Sequence, residues 1–322
     1  PMNSRFIKSA VWATNTFRKK LVVEMYISIY DTFVKDRKIL KGKQIKAGSK
    51  QAEAMFKKDV LALTKSDFLV HTASHELTYW EKLLNIEIAQ EKVFIAPNFN
   101  VSRLVHQRKF QQDGNLNICW WGTFIPLHGL ENILPAMKIL QTNKVKFTCN
   151  LFGVDNDLFT TYAEKIKLEQ LEDYVFLRKD LSFADNSLPK YLIDNCDLAL
   201  GIFGNTDKAY NTVPNKLIEA LSMGIPTLTM KSPALKEFFE PKIDLWTCEA
   251  TPKAIAESIL TIADGAANLV DWEQTRQKVL NTFNTTRYQE VVEQVLDKAI
   301  NNSVEKEKSN VQNSLKYKQK TS

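Results

Sequence analysis

From about residue 115 onward, short apolar runs alternate with amphipathic stretches, and nothing else in the chain restricts its fold as tightly. The runs are Asn117 to Trp121, Lys146 to Phe152, Tyr174 to Leu177, Asp197 to Phe203, Ile225 to Met230 and Leu245 to Cys248. Between them lie helix-like segments such as Glu131 to Gln141, Tyr162 to Leu171 and Leu188 to Asn195. Strands joined through helices pair in parallel, and a parallel sheet is covered on both faces. Six such runs predict a doubly wound α/β domain.

The first 100 residues carry a weaker version of the same pattern. Lys20 to Ile29 reads as a strand, Lys50 to Lys65 as a helix, Phe68 to His71 as a strand, Leu77 to Leu84 as a helix and Val93 to Ala96 as a strand. The polar stretch from Asn100 to Asn115 reads as a linker between two lobes. Two helices are expected near 271 to 281 and 286 to 300. The Lys-rich tail, 301 to 322, has almost no apolar residues and is expected to be disordered.

With 322 residues, 44% hydrophobic and 25% charged, the chain is long enough for two domains of a soluble protein. No apolar run approaches the roughly 20 residues that span a bilayer, and no signal-peptide pattern opens the sequence. Cys119, Cys149, Cys196 and Cys248 are widely spaced, which predicts reduced core thiols in a cytoplasmic protein rather than a disulfide framework or a zinc site. Within the net charge of +6, Lys35, Arg37, Lys38, Lys41, Lys43, Lys46 and Lys50 crowd one stretch. That stretch reads either as a solvated loop or as a patch facing anionic lipid, which would make the protein peripheral on the inner face of a membrane. It has no interleaved aromatics, so nucleic acid is not an expected partner.

Ligands of open parallel sheets bind beyond the carboxyl ends of the strands. Three loops there stand out. In WWGTFIPLHGLE, residues 120 to 131, Gly122 permits a turn and Gly129 opens a helix, whose free N–H groups suit phosphate. The same residues also describe a plain strand-to-helix turn. Neither a P-loop nor a G-x-G-x-x-G fingerprint is present, which disfavours an ordinary dehydrogenase. In YNTVPNKLIEALSMGIPTL, residues 210 to 228, Pro214 suits the first helical position, and Leu217, Ile218 and Leu221 form an apolar face. Asn215, Glu219 and Ser222 fall on another face. Glu219 then lies roughly 7.5 Å along the helix, a reach that matches a ribose behind a diphosphate at the tip; a surface glutamate fits the pattern too. The third pair of loops, LFGVD at 151 to 155 and YVFLR at 174 to 178, ends strands aimed at the same edge.

Together, GTFIPLHGLE, LFGVD, YVFLR, NCDLALGIF, VPNKLIEALSMGIPTLT and Leu235 to Glu237 resemble the nucleotide-binding domain of retaining glycosyltransferases of family 4, which have the GT-B fold. Upstream, YISIYDTFVKDRK, SDFLVHTASHE and KVFIAPNFN resemble the second half of such an enzyme's N-terminal domain. The resemblance implies two Rossmann-like domains facing a cleft, with the start of the first one lacking. Residues 1–110 would be the partial acceptor-side domain, 111–285 the donor domain, and 286–300 a helix returning to the first domain. It implies a hexosyltransferase moving sugar from a nucleoside diphosphate to a polysaccharide, lipid-linked or other glycan acceptor, with retention of configuration and no metal or other cofactor. Glu219 matches the ribose-binding Glu; Val213, Pro214, Asn215 and Lys216 match the donor-phosphate segment. Gly122, Thr123, His128 and Gly129 match the phosphate side of the site. Gly153 and Arg178 fall where the nucleobase is gripped.

Three departures stand beside this. Asn211 occupies the position of a first Glu found in many members, where it can hydrogen-bond a sugar hydroxyl but carries no charge. His128 replaces a common Lys, a loss that Lys216 could supply. The family's first strand and Gly-rich acceptor loop have no counterpart here. A donor-binding protein without catalysis, and a GT-B nucleotide-sugar epimerase, therefore stay open as alternatives. His71 and His75 stand four apart before Glu76, but His71 ends a predicted strand, so a shared metal is not expected. Both, with Asp31, are read either as structural residues or as lining a cleft in contact with acceptor or sugar.

Overall fold

The computed structural model describes residues 3–40, 42–153 and 157–300; Lys41, Val154 and Asp155 of the LFGVD loop, and the tail from Asn301, lie outside the described residues. The chain divides into two units, one formed by residues up to Pro97 together with those from Thr285 onward, the other by Asn98–Asn284.

The first unit begins with α1 (Ile7–Thr16) and β1 (Val22–Glu24), followed by a hairpin of β2 (Ile39–Leu40) and β3 (Lys43–Gln44). Then come α2 (Lys50–Lys65), β4 (Phe68–His71), α3 (Ser74–Leu84) and β5 (Val93–Ile95). Its parallel sheet has the order β1-β4-β5. All four residues of β4 are buried, as a strand covered on both faces requires. Alternate side chains serve opposite cores. Leu69 packs with Leu63, Leu77 and Trp80, while Phe68 and Val70 pack with Phe94 and with Val291 and Val295 of a helix over 285–300. Ser49 starts α2 by accepting from the Ala52 N–H, and Asn85 stops α3 in a left-handed conformation.

The strand expected over Lys20 to Ile29 is only three residues long. Its ladder with Phe68, Leu69 and Val70 ends there, and the buried Asp59 carboxylate then takes bonds from the Ser28 hydroxyl and the Tyr30 N–H, turning the chain into a helical stretch. In the basic segment, Lys35, Lys38, Lys43, Lys46 and Lys50 are exposed, while the Arg37 guanidinium sits 5.7 Å from the centre of the Phe33 ring.

The second unit runs β6 (Leu116–Gly122), α4 (Leu130–Thr142), β7 (Phe147–Gly153), α5 (Asp157–Leu168), β8 (Val175–Arg178), α6 (Ser187–Asn195), β9 (Leu198–Leu200), α7 (Asp207–Asn211), α8 (Asn215–Ser222), β10 (Thr227–Met230), β11 (Trp246–Cys248), α9 (Pro252–Ala263) and α10 (Trp272–Thr282). Every neighbouring pair in its sheet is parallel, in the order β11-β10-β9-β6-β7-β8. Winding proceeds outward in opposite directions from the β6–β9 pair, so the topological switch point lies between those two strands. Residues of β6 divide by parity: Ile118 and Trp120 enter the core under α4 and α9, and Cys119 and Trp121 enter a second core with Leu188 and Leu192 of α6. All four cysteines are free and buried.

The segment read as a linker is fastened to this unit. Asp197, fully buried, accepts from Arg108 Nε at 2.8 Å, from the Gln111 N–H at 2.9 Å and from the Asn117 N–H at 2.7 Å. Nearby, the N–H groups of His106 and Gln107 donate to Met223 and Ile193, and that of Ser102 donates to Ser222 Oγ. Its polar composition reflects bonds to the domain surface and not free solvation.

Candidate donor site at the sheet switch point

The carboxyl end of β6 reaches Gly122, paired with Gly153 at the end of β7. Gly122 has φ +143°, and a Cβ there would lie 2.9 Å from His128 Cε1 and 3.2 Å from Lys216 Nζ. Only glycine lets both side chains close over this turn. At the start of α4, Gly129 has φ +71°, and its Cβ would stand 2.1 Å from the carbonyl carbon of Phe203. A Cβ on Gly204 would in turn meet the Pro126 and Leu127 carbonyl oxygens at 2.5 Å. Two bare glycines thus let the loop after β6 and the loop after β9 press backbone to backbone at the switch point.

Gly129 offers no side chain to cap α4, and Pro214 offers none to α8. The first two N–H groups of each helix take no side-chain cap from these residues and suit an anion, while the third, of Asn132 and of Leu217, donates to the Gly129 and Pro214 carbonyls. Pro214 itself is extended, ψ 141°, and stands one residue before α8 rather than in its first turn. Counting from Asn215, Glu219 is about 6 Å along the axis at 1.5 Å per residue.

Two charged residues of α8 bracket the end of β6. Lys216 is 5% exposed, and its Nζ lies 3.9 Å from the centre of the Trp120 ring with no hydrogen-bond partner among the described residues. Burial pushes its pKa well below the usual lysine value, with Glu219 opposing. On the other face of the strand, Glu219 Oε2 accepts from Trp121 Nε1 at 2.7 Å. Burial raises its pKa, and the indole bond and Lys216 pull it back. His128 sits edge-on to Trp120, ring centres 5.5 Å apart, with its Nδ1 against the carbonyl of an exposed Thr123.

Glu219 also lines a cavity of about 590 Å³ whose other walls include Ser102, Arg103, Phe183, Pro189 and Lys190. Gly153 and Arg178, expected at a nucleobase, are not among its described walls. Neither are Gly122, His128, Gly129 and Lys216. A Cβ on Gly153 would stand 2.5 Å from the Phe124 ring. Arg178 bonds both oxygens of Asp180, at 3.0 and 2.7 Å, and stacks on Phe152 and Tyr191 at 4.9 and 4.7 Å. Asn215 accepts from Asn98 Nδ2 at 2.6 Å, Val213 packs against the cluster that holds Leu217, Ile218 and Leu221, and Asn211 donates to the Asp207 carbonyl of its own short helix.

The remaining candidates belong to the first unit. Asp31 is buried and accepts from the Tyr79 hydroxyl at 2.8 Å. His71 is buried at the end of β4, with Nδ1 against the Met25 carbonyl, Nε2 3.4 Å from Glu76 Oε2 and its ring 4.7 Å from that of Trp80. His75 lies in the first turn of α3, a different element. Among the described residues no three His, Cys, Asp or Glu side chains group as a metal site, and no helix is long and apolar enough to cross a membrane.

Residue spacing singles out Gly122, Gly129 and Glu219, and the resemblance adds His128 and Lys216; the fold brings these side chains and turns to the end of β6. Spacing had not singled out Trp120, Trp121 or Gly204. The visible signal for them was a tandem tryptophan at a strand end and a glycine just after the strand across the switch point.

No family model matches the chain, and no curated protein matches it. Solved structures do. Sucrose-phosphate synthase from Thermosynechococcus elongatus superposes with a TM-score of 0.66 at 14% identity, over 90% of this chain and 71% of that one. HepE of Anabaena, in complex with UDP-glucose, does so with 0.66 at 15% identity, over 91% and 77%. The lipopolysaccharide outer core galactosyltransferase WaaB, in its apo form, gives 0.58 at 11% identity, over 94% of this chain and 74% of that one. At such identities the likeness is one of fold, and the fold is that of GT-B glycosyltransferases.

Proposed function

We propose that this chain binds a nucleoside-diphosphate sugar in its second unit and transfers the sugar to an acceptor. The observation that carries the reading is the placing of Lys216 and Glu219 around the end of β6: a buried lysine with no hydrogen-bond partner among the described residues, beside two uncapped helix starts, and a carboxylate further along the same helix lining a cavity. Cleavage of the sugar–phosphate bond leaves negative charge on the diphosphate while the anomeric carbon becomes cationic. Fixed N–H dipoles and an ammonium in a site shielded from water stabilise that leaving group without reorganising. Glu219 accepts from the ribose hydroxyls. HepE has been crystallised with UDP-glucose and with UDP, which supports a nucleotide sugar as donor.

In this reading configuration is retained, the acceptor is a polysaccharide or lipid-linked glycan, and Lys216 with the helix tips carries the charge without a metal. The exposed lysines of the segment from Lys35 to Lys50 provide a surface for anionic headgroups beside a lipid-linked acceptor. Asn211 favours a second reading, donor binding without turnover, because its side chain is neutral and bonded within its own helix.

A thermal-shift panel of nucleotide sugars tests the donor, since a ligand of the folded form raises its apparent stability by mass action. One sugar nucleotide should raise the midpoint, and incubation with a glycan acceptor should release the free diphosphate. A panel with no shift refutes both readings. A shift with neither transfer nor hydrolysis selects the second.

A further inference from the structure

We infer that Trp121 is a positioning residue for the donor ribose: its indole N–H holds one oxygen of Glu219 so that the other faces the nucleoside. The inference rests on the donor-binding reading above and assigns the ribose contact a partner on the sheet.

Trp121 is 4% exposed and wedged among Leu188, Leu192 and Cys196, with its ring centre 5.9 Å from that of Phe183, itself a cavity wall. The indole is therefore a fixed donor, and it can only donate. It binds Oε2 of Glu219 at 2.7 Å, and no other hydrogen bond to this carboxylate exists among the described residues. One oxygen is thereby committed, and the remaining acceptor capacity is left at the cavity. The bond also opposes an alternative. Lys216 and Glu219 are three apart on α8, a spacing at which opposite charges meet. They make no ion pair here, because Trp120 and Trp121 on opposite faces of β6 draw the ammonium one way and the carboxylate the other. Without the indole bond Glu219 would be free to turn to Lys216, neutralising the cation meant for the diphosphate and losing its aim at the ribose.

The test is calorimetry of UDP, GDP, ADP and CDP on wild type, Trp121→Phe, Glu219→Gln and the double variant. The 2′,3′-dideoxy form of the bound nucleotide is titrated alongside. Trp121→Phe should weaken the bound nucleotide about tenfold, the worth of one hydrogen bond to a charged group, and leave the dideoxy form within twofold. In the Glu219→Gln background it should add less than twofold. Equal losses for both nucleotides, or full additivity with Glu219→Gln, overturn the inference while leaving donor binding intact. If wild type binds none of the four, the donor reading fails and the inference falls with it. Should Trp121→Phe not fold, indole 15N–1H spectra of wild type and Glu219→Gln decide the matter. One indole resonance must move with the nucleotide, stay put with the dideoxy form and be displaced already in Glu219→Gln; its indifference to all three overturns the inference.

Discussion

Lys216 presents its ammonium to the face of Trp120 at 3.9 Å, with 5% of the residue exposed and no hydrogen-bond acceptor among the described residues. The ring face attracts the cation, but burial dominates and depresses the pKa. A group held this way sits in a state that an anion would relieve.

The sign of its effect on stability follows. Between the depressed folded pKa and the ordinary value near 10.4, the unfolded chain holds a proton that the folded chain releases. The unfolded state then binds more protons, so stability rises with pH over that window. Relative to Lys216→Met, the wild type should gain in urea midpoint as pH rises toward the ordinary lysine value. Parallel curves would show that Lys216 is not titrating there.

Diphosphate binding should reverse that proton release. Calorimetry of the bound nucleoside diphosphate in buffers of different ionisation enthalpy should show more proton uptake for wild type than for Lys216→Met. Lys216→Ala should lose diphosphate affinity with its fold intact; equal affinity would contradict the phosphate role.

Glu219→Ala should raise the donor KM by about tenfold or more while leaving inorganic pyrophosphate binding unchanged, since the carboxylate serves the ribose. An unchanged donor KM removes that assignment.

Gly129→Ala should destabilise the second unit strongly. A left-handed non-glycine residue costs about 1–3 kcal/mol, and the new Cβ would also overlap the Phe203 carbonyl carbon at 2.1 Å. Thermal denaturation that matches wild type would mean the two loops do not press together as described.

Arg108→Ala should cost about 3–5 kcal/mol, because it strands the buried Asp197. Chemical denaturation should show the loss, and Asp197→Asn in the Arg108→Ala background should recover part of it. A loss below about 1 kcal/mol would indicate a solvated pair.

Much of the fold was legible in the sequence because parallel strands and their helices announce themselves locally. The helix over Lys50 to Lys65 and the strand over Phe68 to His71 needed only periodicity and capping. Glycines at 122 and 129, and the Asn-Lys-x-x-Glu spacing of α8, were likewise readable, since they encode backbone angles and helix faces. The strand from Lys20 to Ile29 was overread because its length is set by how far β4 runs beside it, which no local pattern contains.

What the sequence determined by itself was a doubly wound domain with a glycine turn before one helix, Leu130–Thr142, and a lysine and a glutamate on another, Asn215–Ser222. Tertiary structure alone decided that Trp120 takes Lys216 and Trp121 takes Glu219, that Arg178 bonds Asp180 and stacks on Phe152 and Tyr191, and that a polar stretch is tied down by Asp197. The physical reason is separation along the chain: Trp121 and Glu219 are 98 residues apart. Only the parallel register of the sheet, which places the end of β6 under the start of α8, brings a donor on one to an acceptor on the other.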